Sequence, residues 1–353
     1  KAIINTNDMH KTYEVSLPIQ NSVNNEAVRI IGTSENENYQ QTVTKSAIGD
    51  YDVIKCLTLE GALDAYSRLE NVAESLSQKQ PEKVSFDNKE DLKAYIKDYC
   101  EKYGWDADLN HIDVSKITDM SQLFMGTIFT GDISKWDVSN VRNMSHMFRN
   151  TQFNGDLSGW NTSKVEDMQG MFSYSKFNQP IDKWDTSNVK KMLGMFSYSK
   201  FNQPIGNWDV SNVKDMSYMF MESPFNHPIG NWNTGNVENM SFMFYLTPFN
   251  QPLDNWNTSK VENMEYMFYY NRKFNQPIGN WDVSNVKDMT AMFAGNKALE
   301  KIPDWKLSPS VVIKDMFYGT KFEGLEESLK RSIPEKVSFD NKEDLKDYIT
   351  KYC

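Results

Sequence analysis

The chain has 353 residues, 39% of them hydrophobic and 24% charged, with a formal net charge of −10 at pH 7 and a pI near 5.1. This acidic balance, without any basic stripe, argues against nucleic acid as a partner. No apolar run is long enough to span a bilayer, and three cysteines are too few for a disulfide framework.

Residues 1–80 predict a small α+β domain. The alternation of apolar and polar residues from Tyr13 to Ile19 predicts a strand, in which Pro18 favours an edge position. Ala27 to Ile31 and Tyr51 to Leu57 predict two further strands. Apolar residues at helical spacing then predict a helix from Leu59 to about Ser77.

Residues 81–108 predict a helical N-terminal cap for the repeats that follow. A terminal repeat exposes its apolar side unless another element covers it. One face of the predicted helix consists of Leu92, Tyr95, Ile96, Tyr99 and Cys100. On that face, Cys100 is expected to be a buried apolar residue rather than a reactive thiol.

Residues 109–325 repeat one unit, for example FNQPIGNWDVSNVKDMSYMF from Phe201 to Phe220. Its tryptophan recurs every 24 residues, with one step of 25, at Trp136, Trp160, Trp184, Trp208, Trp232, Trp256, Trp281 and Trp305. A fixed period of this length is typical of a solenoid. We therefore predict an α/β solenoid, leucine-rich-repeat-like, of about nine 24-residue coils.

Each coil is predicted to contain a strand, a short helix and a return loop. In the unit above, the strand is expected from Asn207 to Ser211, with Trp208 and Val210 facing inward. Ser211 would cap a helix whose apolar face extends from Val213 to Phe220.

The repeat W-(D/N)-(V/T)-S-(N/K)-V-x-x-M-x-x-M-F resembles that of the BspA-like leucine-rich-repeat surface proteins, in particular their Trp- and Met-Phe-rich members among bacterial surface lipoproteins. The resemblance covers about Leu109 to Phe322. It implies a solenoid fold and a bacterial protein that is located on the cell surface or secreted. It implies no particular ligand.

Residues 326–353 contain a second version of the predicted cap. Pro334 to Cys353 repeats Pro81 to Cys100 with three differences. The differing pairs are Ala94 and Asp347, Lys97 and Thr350, and Asp98 and Lys351. We expect this segment to begin a second module of the same kind.

The sequence has no pattern that predicts catalysis or a cofactor. The four histidines lie in different segments, and no nucleophile or phosphate-binding motif occurs. We therefore expect a non-enzymatic protein without a cofactor. The recurring Met and Trp residues are predicted to be core residues that stack from coil to coil.

A column of acidic and amide residues allows two interpretations. Its members should align about 4.8 Å apart, and oxygen ligands suit calcium. However, Asp or Asn before Ser is also ordinary turn and capping chemistry, so capping is preferred and no metal is predicted. The column comprises Asp137, Asn161, Asp185, Asp209, Asn233, Asn257 and Asp282.

Differences between coils predict a ligand-binding surface. Three successive coils have an aromatic residue two positions before the closing phenylalanine, and further rings and an arginine follow beside what appears in the sequence as the only insertion. Aromatic residues with an arginine on an exposed surface are typical of protein or glycan recognition. The alternative is that the rings pack between neighbouring coils. The candidate residues are Tyr218, Phe242, Tyr266, Tyr245, Tyr269, Tyr270 and Arg272.

Two functions from different classes follow from this surface. The first is a bacterial surface adhesion protein that recognises a host or extracellular protein or a glycan through the solenoid. The second is a structural spacer or stalk that displays another domain at the cell surface. An exposed aromatic patch would favour the first function, and a buried patch would favour the second.

Overall fold

The computed structural model of the protein describes residues 82–330 and five strands nearer the N-terminus. The strands are β1 Ile3–Asn7, β2 Thr12–Pro18, β3 Ala27–Thr33, β4 Val43–Lys45 and β5 Asp52–Ile54. β1, β2 and β3 form an antiparallel sheet in that order, and β4 pairs antiparallel with β5. The helix predicted from Leu59 to Ser77 and the cap-like segment from Pro334 to Cys353 lie outside the described residues.

The predicted strands at Tyr13 to Ile19 and Ala27 to Ile31 are present as β2 and β3, and β5 lies within the third. The edge position expected for Pro18 is wrong, because β2 lies between β1 and β3. Pro18 is accommodated as the last residue of β2, since pairing with β1 already ends at Ser16. A proline at a strand end costs no ladder hydrogen bond on the unpaired side.

The chain divides into two compact units, the first comprising residues 1–119, 127–140 and 152–160 and the second comprising the remaining residues. In the first unit, β6 Val84–Ser85 pairs parallel with β7 Ile112–Asp113. Between them lies α1 Lys89–Tyr103, which begins after Asn88 because the Asn88 side chain accepts the N–H of Asp91 at 2.9 Å. Gly104, at φ 105°, ends the helix.

α1 buries the face that its sequence predicts. Leu92, Ile96 and Cys100 are at most 2% exposed. Burial raises the pKa of the Cys100 thiol to about 11, so this cysteine stays protonated at neutral pH. Cys100 is thus a buried apolar residue, as predicted.

The second unit is a repeat solenoid, but its coils are not α/β. Neither the strand predicted from Asn207 to Ser211 nor the helix predicted from Val213 to Phe220 forms. In the described part of this unit, the only regular element is a short 3-10 helix at Glu326–Leu329. The coils are built of turns that stack on one another.

Two kinds of hydrogen bond explain why neither regular element forms. From Met216 to Glu222, every second backbone N–H donates to a carbonyl of the next coil at 2.9–3.1 Å. From Met219 to Ser223, the intervening N–H groups donate to the carbonyl three residues earlier in the same coil. An α-helix would keep all of these hydrogen bonds within one coil. Because every second N–H bonds to the next coil instead, no helix forms here. All these donors are satisfied, as buried backbone requires.

This alternation places left-handed residues two positions before and two positions after the closing phenylalanine of each coil. In the coil of Phe220 these are Tyr218, at φ 59°, and Glu222, at φ 53°. The same two columns hold Gly170, Gly194, Gly295 and Gly319, all at positive φ. Each non-glycine residue in these columns costs about 1 kcal/mol relative to glycine.

The core consists of columns of identical side chains, as predicted. The Trp, Met and closing Phe residues that recur in these columns are at most 4% exposed. Trp208 stacks on Trp184 with ring centroids 6.4 Å apart, and its Nε1–H donates to the carbonyl of Ile181 at 3.1 Å. Trp208 therefore ties its coil to the preceding one through both its ring and its polar atom.

The column of Asp and Asn residues forms caps. Oδ1 of Asp185 accepts the N–H of Ser187 at 3.0 Å, and Oδ1 of Asn257 accepts that of Ser259 at 3.1 Å. These are Asx-turns, in which the side chain replaces a backbone acceptor. Hydrogen bonds from the hydroxyl and then the N–H of the following serine hold the pKa values of Asp185 and Asp282 below their usual range.

One side chain sets the length of the loop that follows each closing phenylalanine. Where Ser or Thr lies three residues after it, the next core Phe comes two residues later, and its N–H donates to the hydroxyl, as between Phe225 and Ser223. Asn271 occupies this position in the coil with one extra residue. It is fully buried, and its Oδ1 accepts the N–H groups of Lys273 and Phe274. The longer amide therefore spans the longer loop.

The described array contains two longer loops and not the single insertion expected from the sequence; the second is marked by Asn296. Asn296 is fully buried, and its Nδ2 donates to the carbonyl of Phe274. The N–H of Glu300 donates to Oδ1 of Asn275, as Asn275 does to Asn250 one coil earlier. Leu299 therefore corresponds to Phe274, and its loop is also one residue longer. A residue fewer before the next tryptophan restores the period, which hides the insertion in the sequence.

We expect Asn271→Thr to lower the free energy of unfolding by about 2 kcal/mol, because the shorter side chain leaves buried backbone donors unsatisfied. Deleting Lys273 in the same variant should recover most of this loss, because it recreates the Thr-x-Phe spacing of Thr247 to Phe249. Urea unfolding measures both effects. Deletion of Lys273 alone is the control and should destabilise; a stable single deletion would contradict this account of loop length.

The capping carboxylates should make stability depend on pH. Since the folded pKa values of Asp185 and Asp282 are lowered, their contribution is complete above the unfolded pKa and is lost as pH falls through the folded pKa. Between about pH 6 and about pH 3, the melting temperature of Asp185→Asn/Asp282→Asn should fall less than that of wild type. Asn occurs naturally in this column, so the turns persist; equal losses would show that these carboxylates do not contribute.

Candidate functional site

The predicted site residues come together on the surface of the second unit. We call the six rings of Tyr218, Phe242, Tyr266, Tyr245, Tyr269 and Tyr270 the aromatic crest. Tyr218, Phe242 and Tyr266 form one row, in which successive ring centroids lie 4.7 Å apart. Tyr245 and Tyr269 form a second row, with centroids 4.8 Å apart.

The rows contact each other and Arg272. Phe242 lies 5.7 Å from Tyr245, and Tyr269 lies 4.7 Å from Tyr270. The guanidinium of Arg272 lies 5.6 Å from the centre of the Tyr270 ring, within cation–π distance. All seven residues predicted from the sequence therefore belong to one continuous surface.

The crest is neither fully exposed nor fully buried. Tyr218 is 36% exposed and Arg272 is exposed, whereas the other rings are half-buried. Both interpretations drawn from the sequence thus hold in part, because the rings pack on neighbouring coils and also retain contact with solvent. Stacking fixes the orientation of the rings, and the open edges remain available to a ligand.

The first row lies at positions where the backbone favours glycine. Tyr218, Phe242 and Tyr266 have φ between 53° and 59°. Gly170 and Gly194 occupy the same column in the two preceding coils, so the fold does not require a ring there. Bulky residues at left-handed positions are rare and strained, and strain of this kind at a surface points towards function.

One end of the first row is open. The ring of Tyr270 extends over the backbone of the next coil, at Gly295. A Cβ atom added to Gly295 would lie only 2.6 Å from this ring. On Gly194, such an atom would have only Ser197 Oγ at 3.5 Å and Tyr218 Cβ at 3.8 Å nearby. Tyr218 is therefore the first ring of its row, which explains why it is the most exposed member of the crest.

Three tyrosine hydroxyls of the crest have raised pKa values. Burial raises the pKa values of Tyr218, Tyr245 and Tyr269, with smaller effects from neighbouring carboxylates and tyrosines. Glu222 lies beside the crest, and burial together with a hydrogen bond to Glu222 raises the pKa of Tyr198 to about 12. The surface therefore combines apolar rings, hydroxyls, neighbouring carboxylates that include Glu222 and Glu265, and one guanidinium.

A second stacked pair was missed by the sequence analysis. The rings of Tyr174 and Tyr198 lie 4.4 Å apart and nearly parallel, and Arg149 lies 5.9 Å from the Tyr174 ring. Both tyrosines occur two residues after the closing phenylalanine, the same column as Tyr270. The 24-residue spacing of Tyr174 and Tyr198 in this column was the available signal.

Other site types receive no support in the described part of the chain. Within it, no group of three or more His, Cys, Asp or Glu side chains is arranged to hold a metal. No described helix has the length and apolar character to cross a membrane. A shallow depression of about 550 Å³ lies beside the crest and is lined by Ser199, Lys200, Glu222, Ser223, Pro224, Leu246 and Pro248.

Comparison with known proteins gives one family. The sequence model described as "Mycoplasma protein of unknown function, DUF285" matches residues 91–200, 173–252 and 221–329. The three overlapping matches span the described solenoid and more than half of the chain. No curated protein and no solved structure matches.

We expect glycine to replace Tyr218 at a lower cost in stability than alanine. At φ 59°, Tyr218→Ala keeps the left-handed strain and removes the stacked ring, whereas Tyr218→Gly also removes the strain, a difference of about 1 kcal/mol. Urea unfolding of the two variants measures this difference. At Met219, which has no positive φ, glycine should instead destabilise more than alanine. If alanine were the more stable replacement at both positions, left-handed strain at Tyr218 would be excluded.

Proposed function

We infer that the chain, which belongs to the family described as Mycoplasma protein of unknown function, DUF285, is a non-enzymatic adhesion protein. It would bind a host or extracellular protein or a glycan through the aromatic crest. The observation that carries the proposal is the row of Tyr218, Phe242 and Tyr266. These rings occupy strained backbone positions on a surface where the same column also accepts glycine.

The physical properties of the crest suit recognition. Tyrosine and phenylalanine supply large contact areas at low conformational cost, and stacking at 4.7 Å has already ordered these rings before a ligand arrives. Pre-ordered side chains reduce the entropy lost on binding. The neutral hydroxyls can donate to carbonyl or sugar oxygens, while Arg272 offers a charged contact at the edge.

The proposal also includes a relationship to a family of surface proteins and a cellular location. The repeat motif supports a relationship to the BspA-like leucine-rich-repeat surface proteins, although the coils here consist of turns rather than strands and helices. That relationship supports a location on the bacterial surface or outside the cell. No nucleic-acid partner is proposed, since the chain is acidic.

A structural spacer is the second candidate. In the second unit, Trp, Met and Phe form buried columns, and the indole N–H groups of Trp208, Trp232 and Trp256 each donate to a carbonyl of the preceding coil. Coils linked in this way resist bending, which suits a stalk. In that case the crest would contribute to packing and not to recognition.

A binding screen against glycans and extracellular-matrix proteins distinguishes the two candidates. Wild type is compared with Tyr218→Gly/Phe242→Gly/Tyr266→Gly, which the glycines at 170 and 194 show to be compatible with the backbone. The matched control is Lys214→Ala/Glu238→Ala/Glu262→Ala, which changes exposed residues in the same three coils. Thermal melts report folding in each case.

We expect the glycine variant to lose at least about tenfold in affinity while it remains folded and the control binds like wild type. Unchanged binding by the folded glycine variant would remove the crest from the proposal. Absence of binding by wild type to any member of the screen would favour the spacer.

A further inference from the structure

The shallow depression beside the crest has an apolar part and a basic part, and we call it the Leu246 depression. Its apolar lining consists of Leu246, Pro224 and Pro248, which are all exposed to solvent. Lys200 lines it from the coil two before that of Leu246. An exposed apolar surface beside a charge is typical of a place where a partner binds.

Neither the backbone nor the core explains the residue at the centre of this lining. Leu246 has a φ of 53°, in the column that holds Asn150, Gly295 and Gly319 in other coils. A bulky aliphatic residue at such a position is rare and strained. The side chain is 43% exposed, so burial offsets little of this strain. Strain without a packing gain points to a role for Leu246 at the surface.

The hydroxyls and the carboxylate that line the depression already have partners. Ser199 and Ser223 each donate to the carbonyl oxygen three residues earlier, at 2.7 and 2.9 Å. Glu222 forms a hydrogen bond with Tyr198, which contributes to the raised pKa of that tyrosine. A carbohydrate would therefore gain few hydrogen bonds here. A lipid chain would need a more enclosed apolar cavity than this shallow surface.

Lys200 is the charge that the depression leaves unpaired. Several cations of the second unit pair with a carboxylate of a neighbouring coil, as Lys214 does with Glu238 at 2.8 Å. Among the ion pairs that the described residues form, none includes Lys200 or Lys176. Lys176 occupies the same position one coil earlier. Two ammonium groups in successive coils are therefore available to carboxylates.

The spacing of these groups suits an extended polypeptide. If the coils stack at about the strand spacing of 4.8 Å, Lys200 lies roughly 5–10 Å along the array from the apolar lining. Side chains two residues apart on one face of an extended chain are separated by about 6.7 Å. A residue two positions from one that covers Leu246 would thus lie near Lys200, and one two positions further would lie near Lys176.

We propose that the Leu246 depression binds an extended segment of a partner protein, which places an apolar side chain on the apolar lining and an acidic side chain at Lys200. A second acidic residue, two positions further along the segment, would reach Lys176. The charges of the two lysines select an acidic segment, and the lining selects an apolar residue beside it. The inference does not depend on the proposed binding function, because the site lies beside the crest and not on it.

The first experiment tests whether Leu246 is free to bind a partner. Leu246→Gly removes an exposed side chain and relieves left-handed strain, so it should melt within about 3 °C of wild type. The matched control is Leu253→Gly, at the next leucine of the sequence, which is fully buried and should melt much lower. An equally large drop for Leu246→Gly would assign Leu246 to packing and overturn the proposal.

The second experiment selects random heptapeptides, displayed on phage, for binding to the full chain. The enriched peptides should contain an apolar residue two positions from Asp or Glu. Selection on Lys176→Glu/Lys200→Glu should replace this acidic residue by Lys or Arg. The control Lys183→Glu/Lys306→Glu makes the same change in net charge at exposed lysines outside the depression and should keep the acidic preference. No enrichment, or the same charge preference after the change at 176 and 200, would overturn the proposal.

The third experiment measures the affinity of one enriched peptide, made synthetically, by titration calorimetry. Leu246→Gly should weaken binding about fivefold or more, and so should replacement of the acidic residue of the peptide by its amide. Tyr218→Gly/Phe242→Gly/Tyr266→Gly, which removes the first row of the crest, should leave the affinity within about twofold of wild type. If the crest variant lost binding while Leu246→Gly kept it, the peptide would bind the crest and the proposal would be wrong.

Discussion

The solenoid depends on how each coil divides its backbone donors between itself and its neighbour. Around each closing phenylalanine, alternate N–H groups bond to the next coil and the others close turns within the coil. This division keeps the core columns in register, because several alternate backbone groups of a coil bond to the next coil. It also creates the left-handed positions from which the crest side chains project.

The core columns and the crest therefore both result from this hydrogen-bond pattern, but they differ in which side chains they accept. Core positions are filled by large apolar side chains in every coil, and most of them repeat the same Trp, Met and Phe residues. The left-handed positions accept glycine, histidine, tyrosine, phenylalanine or aspartate without a change in the backbone. Chemistry can vary in these columns while the fold stays constant, which makes them the natural place for recognition to reside.

Much of the array could be predicted from the sequence, for identifiable reasons. The 24-residue period revealed the core columns and the Asx caps, since these depend only on which residues align between coils. The type of coil could not be predicted in the same way. The apolar spacing of Val213, Met216, Met219 and Phe220 suits a helix and a series of three-residue turns equally well, and it does not reveal where the N–H groups donate. Glycine and aromatic residues in one column, as at Gly170, Gly194 and Tyr218, indicate a left-handed position that apolar spacing alone does not reveal.

The relation between the loop side chain and loop length has a consequence for how such an array can change over generations. A hydroxyl at this position fits the short loop, and an amide fits a loop that is one residue longer, as at Asn271 and Asn296. An inserted codon is thus absorbed inside its own coil by a single compensating replacement. Such a chain can diversify its surface loops one at a time, without disturbing the frame that all the other coils share.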